Sequence, residues 1–123
     1  MSEDRKTRIR EYKETPRSAG VFRIRNTVSG KSLVGSSRDI PGMLNRQRFQ
    51  LELGSHPDRE LQDDWRKLGS GAFEFEELDR LEAAEEPGAD QAVELKVLLS
   101  LWIERLEAAG EELYHRSRIR ESD

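Results

Sequence analysis

Six cations, Arg23, Arg25, Lys31, Arg38, Arg46 and Arg48, crowd residues 23–48, and the only two histidines, His56 and His115, lie further along the chain. Guanidinium and ammonium groups at this density suit phosphate oxygens, through charge-assisted contacts that are blind to base sequence and sensitive to salt. An imidazole adds a group that can move a proton near neutral pH. Cysteine is absent, which excludes disulfides, thiolate metal sites and a cysteine nucleophile. The net charge of -4 conceals a division: residues 1–68 carry 15 Lys and Arg against 10 Asp and Glu, whereas residues 69–123 carry 6 against 15. An anionic ligand is therefore expected on the first half, although the whole chain is acidic and nucleic-acid binders are commonly basic. Segment by segment, the same charges also read as the solvated faces of helices.

These groups need a scaffold, and 123 residues suffice for one domain with one core. The stretch "EDRKTRIREYKE", with only Ile9 and Tyr12 as apolar anchors, predicts a short charged leader helix or arm within residues 1–19. "TPRSAG" breaks it. From Val21 to Asn26 the side chains alternate, Phe22 and Ile24 on one face and Val21, Arg23 and Arg25 on the other, as in a half-buried strand. Thr27 to Gly30 reads as a turn and Lys31 to Gly35 as the returning strand of a hairpin. A helix is predicted from about Pro41 to Leu53, containing Met43, Leu44, Phe49, Leu51 and Leu53. A second starts near Ser55 and Asp58 and aligns Leu61, Trp65 and Leu68. "AFEFEELDRLE" alternates as a third strand. Asp90 to Ala109 forms the strongest helix, with Ala92, Leu95, Leu98, Leu99, Trp102 and Leu106 on its apolar face. The order indicates a small α+β domain: a three-stranded, mainly antiparallel sheet, made of the hairpin plus one strand, packed with about three helices. "MSEDRKTRIR" resembles no secretion signal and "VLLSLWI" is too short to span a bilayer, so a cytoplasmic protein with no membrane partner is expected.

"GVF" at 20–22 and "LVG" at 33–35 resemble the two halves of the GIY-YIG nuclease motif, which lie on neighbouring strands of a hairpin in that family. The continuation strengthens the resemblance: "NTVSGKSLVGSSRDI", "FQLELGSHPDRELQDDWRKLG", "AFEFEELDRLE", and a helix containing "LWIERL". It spans residues 20–115, leaving 116–123 as a charged tail.

What the resemblance implies for catalysis goes position by position. The two tyrosines that handle the attacking water and the phosphate in active members correspond here to Phe22 and Leu33. The arginine that steadies the phosphate falls at Met43, and a histidine one turn later at Gln47. The metal-binding glutamate, three residues before the tryptophan of the last helix, falls at Leu99. A later asparagine falls near His115 in "LYHR". His56 alone keeps its expected identity, though its place at a helix start also fits capping. A phenylalanine can neither take nor give the proton, and no carboxylate stands at Leu99. The expectation is a catalytically inactive domain, a pseudonuclease needing no cofactor, that binds nucleic acid or a protein. Its nucleic-acid surface would comprise Arg23, Arg25, Lys31, Arg38, Arg46, Arg48 and His56, with weak and salt-sensitive binding. The alternative is a Mg²⁺- or Mn²⁺-dependent endonuclease with a rebuilt site using Arg46 or Arg48, Glu94 or Glu104, and His56 or His115. A regulatory subunit whose acidic half meets a basic protein, or self-association through the leader, completes the readings.

Overall fold

The computed structural model describes residues 18–81, 91–115, 117 and the backbone of 119–120; the leader helix lies outside them. Strands β1 (Ala19–Asn26) and β2 (Ser32–Ser37) precede helices α1 (Ile40–Leu53) and α2 (Arg59–Leu68). After one 3-10 turn (Ser70–Ala72) come β3 (Phe73–Leu81), α3 (Gln91–Ala108) and the two-residue β4 (Ile119–Arg120). The sheet order is β3-β1-β2-β4. Its first three strands are antiparallel, as expected; β4 adds a short parallel edge beside Gly35 and Ser36, beyond the boundary expected at residue 115.

The β1–β2 hairpin closes because Asn26 folds back on its own turn: its side-chain carbonyl accepts from Val28 N–H at 2.9 Å and Ser29 N–H at 3.1 Å. Gly30 then supplies the positive φ of 82° that returns the chain. On the other side of β1, Gly20 faces Arg80 of β3 so closely that a Cβ there would lie 2.0 Å from the Asp79 carbonyl oxygen. The register of this pair shifts between Val21 and Phe22, a bulge that leaves Leu78 as the extra residue of β3.

Asp39 caps α1 by accepting from Gly42 N–H at 3.2 Å, with Pro41 in the first turn where no donor is missed. The second helix begins later than its sequence suggests. Asp58, not Ser55, is the cap and accepts from Leu61 N–H at 3.0 Å, while its own N–H is held by His56 Nδ1.

The sheet divides the interior into two cores. Phe22, Ile24 and Leu33 point toward α1 and α2 and pack with Ile40, Met43, Leu51, Leu61, Trp65, Phe73 and Tyr114. Val21 and Val34, one residue out of phase, meet Leu99, Ile103 and Leu106 of α3 on the other face. Two expectations shift by part of a helical turn. Ile103 replaces Ala92 on the buried side of α3, with Leu98 and Trp102 as partly buried flanks. On α1 the inward positions are Ile40, Met43, Gln47 and Leu51, which turns Phe49 and Leu53 outward. Among the described residues, no helix is long and apolar enough to cross a membrane.

Candidate functional site

The positions matched to catalytic groups separate into three surroundings. Phe22, Leu33 and Met43 come together inside the α1/α2-side core, where each is buried. Leu99 does not join them. It lies across the sheet, packed against Val21, Val34, Ile103 and Leu106. His115 is exposed beyond α3.

Gln47 and His56 form a third group that is polar, buried and internally bonded. His56 Nδ1 accepts from Asp58 N–H at 3.0 Å, so the ring proton resides on Nε2 and is donated to Gln47 Oε1. Gln62 accepts from His56 N–H at 2.9 Å and donates to the Leu51 carbonyl at 3.0 Å. These bonds tie the end of α1, the intervening loop and the start of α2 into one unit. His56 is thus committed to holding two helices together, and both ring nitrogens are engaged.

A polar centre that the sequence reading overlooked sits at the hairpin end of the same core. Tyr114, 1% exposed, donates its hydroxyl to Asp64 Oδ2 at 2.7 Å and accepts from Asn26 Nδ2 at 3.1 Å. Burial, and next the bond to Asp64, push the phenol's pKa above its ordinary value of 10.0. Lys31 lies 5.4 Å from the Tyr114 ring centroid and pairs with Glu60, whose hydrogen bond holds the ammonium pKa above its usual value. No local pattern marks Tyr114, because its partners come from β1 and α2.

The six cations are not gathered on one surface. Arg23 and Arg25 share the α3-facing side of β1. Arg23 is saturated there: it meets Glu76, its cross-strand neighbour, at 2.6 Å and Glu111 at 3.1 Å. The Nε of Arg25 is buried without a partner among the described residues. Lys31 is engaged by Glu60 at the hairpin turn. Arg38 is exposed in the loop before α1. Arg46 and Arg48 are exposed on α1, on the opposite side of the sheet from Arg23.

Around Arg46 and Arg48, a shallow open depression is lined by Gly42, Asn45, Phe49 and Glu52 as well. Phe49 is 61% exposed, and Arg48 lays its guanidinium 4.2 Å from the Phe75 ring centroid. An aromatic face beside cations is a surface on which a nucleic-acid base can stack while phosphates are neutralised. The helical period gives the available signal for Phe49, which falls on the side of α1 opposite Met43, Gln47 and Leu51.

Two solved structures resemble the chain. One is a mutant of the catalytic domain of the intron endonuclease I-TevI, with a TM-score of 0.65 and 24% identity, covering 83% of this chain and 96% of that one. The other is the catalytic domain of the homing endonuclease I-TevI, with a TM-score of 0.57 and 28% identity, covering 85% and 99%. No family model matches the chain, and no curated protein matches it significantly.

Proposed function

Because this chain has the fold of a GIY-YIG nuclease domain, we propose that it is a catalytically inactive member of that fold, a pseudonuclease serving as a nucleic-acid-binding module. One observation carries the reading: Phe22, Leu33 and Met43, which the sequence resemblance matches to the family's reacting positions, are apolar side chains buried in a single core. Phosphodiester hydrolysis needs a base for the water and cationic or metal support for the charge that develops on phosphate. Neither is available in that core. Its one ionisable member, the Tyr114 phenol, is held by Asp64 and Asn26 and is inaccessible.

The apolar side chains packed on Leu99, Val21, Val34, Ile103 and Leu106, offer a divalent cation no oxygen, and no group of three or more His, Asp or Glu that could hold a metal ion occurs among the described residues. The rebuilt-site alternative fares no better. Glu94 and Glu104 are exposed on α3, across the sheet from the arginines of α1 and from buried His56, and neither belongs to a group of three or more His, Asp or Glu that could hold a metal ion among the described residues.

Binding is supported by α1. Arg46 and Arg48 are exposed beside Phe49 around one open depression. Phosphate neutralisation there is sequence-independent, while Phe49 favours unpaired bases. The test is incubation of the purified protein with plasmid, single-stranded DNA and RNA, with and without Mg²⁺ or Mn²⁺, scoring cleavage and retention together. Retention of single strands without cleavage, reduced by Arg46→Ala with Arg48→Ala, is expected. Metal-dependent cleavage that the same two substitutions abolish would overturn the proposal.

A further inference from the structure

The outer side of α1 does not end at Phe49. At about 100° per residue, Arg46, Phe49 and Leu53 fall within about 60° of one another, on the side opposite buried Leu51. Phe49 and Leu53 are 61% and 64% exposed, two apolar side chains that neither core takes in. This line leads directly to Gly54, which at 1.5 Å per residue lies about 12 Å along the helix from Arg46. There a second open depression begins, lined by Gly54, Arg59, Asp63 and Arg66 and by buried His56 and Gln62.

Arg59, Gln62, Asp63 and Arg66 recur at i, i+3, i+4 and i+7, so α2 turns one face toward this depression. Gln62 fixes that face, because its side chain bonds His56 N–H and the Leu51 carbonyl. Arg66 is held at the end of α1: Nη2 donates to the Gly54 carbonyl at 3.3 Å, and Nη1 lies 4.0 Å from Asp63. A Cβ on Gly54 would stand 3.0 Å from that same Nη2, at a φ of 79° that already disfavours one, so the glycine keeps the guanidinium's place open. A cation at a helix C-terminus is stabilising in itself, which accounts for Arg66. It does not account for Arg59, which is exposed on the same face and forms no ion pair among the described residues. Two guanidinium groups against one carboxylate leave the depression net positive.

A cation at Arg46, two exposed apolar side chains, and then the cations Arg66 and Arg59 follow the alternation of phosphate and base along one strand. We propose that the Arg59–Arg66 depression is a phosphate subsite, and that a single nucleic-acid strand seated on α1 runs over Phe49 and Leu53 into it. The inference rests on the reading of α1 as a nucleic-acid surface and adds the direction in which the strand extends. Asp63 works against an arriving phosphate, so its neutralisation strengthens the subsite.

Fluorescence anisotropy of labelled oligothymidylates, in a series from about three to about twelve nucleotides, tests the proposal on the full chain. With the native sequence, affinity is expected to step up at the length that reaches from α1 to α2. Arg59→Ala with Arg66→Ala should abolish that step and leave the shortest bound length unaffected. For the longest oligomer the same pair should flatten the slope of log affinity against log salt by about 1.4, the share of two phosphate contacts on a single strand. Because Arg66 also ties down Gly54, Arg59→Ala alone serves as the second variant and should flatten the slope by about 0.7. Arg46→Ala with Arg48→Ala should instead weaken every length. Asp63→Asn should tighten the longest oligomer more than Glu107→Gln, which removes the same charge from the exposed side of α3 across the sheet. A step that survives the Arg59 and Arg66 substitutions, or an Asp63→Asn effect no larger than that of Glu107→Gln, overturns the subsite and leaves binding on α1 standing. Absence of binding at every length overturns the reading of α1 and the subsite together.

Discussion

Tyr114 and Leu99 show what single side chains contribute to this molecule. The Tyr114 hydroxyl satisfies Asp64 and Asn26 at once, so Tyr114→Phe leaves two polar partners short of a bond. That substitution is expected to cost about 1–3 kcal/mol in urea denaturation. It should also change the alkaline response. With the folded-state pKa raised above 10.0, folded and unfolded chains both keep the phenolic proton at lower pH, and the phenol's stabilisation is fully present. Above that pH the unfolded chain ionises first, so stability falls as pH rises toward the folded pKa. Unfolding midpoints followed across the alkaline range should show this limb in the native sequence and lose it in Tyr114→Phe. Leu99→Glu would put a carboxylate at the position that the sequence resemblance matches to the family's metal ligand, but buries it against the hydrocarbon of Val21, Val34, Ile103 and Leu106. A loss of about 3 kcal/mol or more is expected, with no Mg²⁺ binding by calorimetry. At this scale the sequence was informative at Phe22, Leu33 and Met43, apolar side chains that needed only to be buried. It was silent on Tyr114, whose role depends on residues as far away as Asn26.

Elements position these groups by a few close fits. Gly20 allows β1 to approach β3, and a methyl placed 2.0 Å from the Asp79 carbonyl oxygen must push the strands apart. Gly20→Ala should therefore destabilise the fold by about 2 kcal/mol or more, measurable as a lower denaturation midpoint with an unchanged denaturant slope. Periodicity revealed the existence and order of these elements because alternation in β1 and the apolar stripe of α3 are local properties. It located the faces less well. Phe49 and Leu53 count as apolar residues in a helix, yet buried Gln47, satisfied by His56, takes an inward place that a hydrophobe could have filled. The start of α2 moved to Asp58 for a related reason: the His56 ring, reaching forward two residues, fixes the loop that Ser55 alone would have capped.

At the scale of the whole molecule, charge is partitioned by the sheet. The acidic second half neutralises Arg23 through Glu76 and Glu111, while α1 keeps exposed arginines on the other side. Composition exposed the imbalance between halves, but only the fold reveals that it separates the six cations rather than gathering them. If Arg46 and Arg48 meet phosphates, replacing both with alanine should flatten the slope of log affinity against log salt by about 1.4, read from fluorescence anisotropy of labelled single-stranded DNA. The segment from Glu112 to Arg120 also gives the molecule a temporal order. It joins β2 through the Ser32–Leu113 bridge, the Val34–Ser117 bond, which spans 83 residues of chain, and the β4 pairing. Until that segment has been synthesised, β2 stands as an open template for strands of other molecules. A chain cut off before this segment therefore carries an aggregation hazard that the segment, once paired with β2, removes, so that it acts as a seal on the sheet.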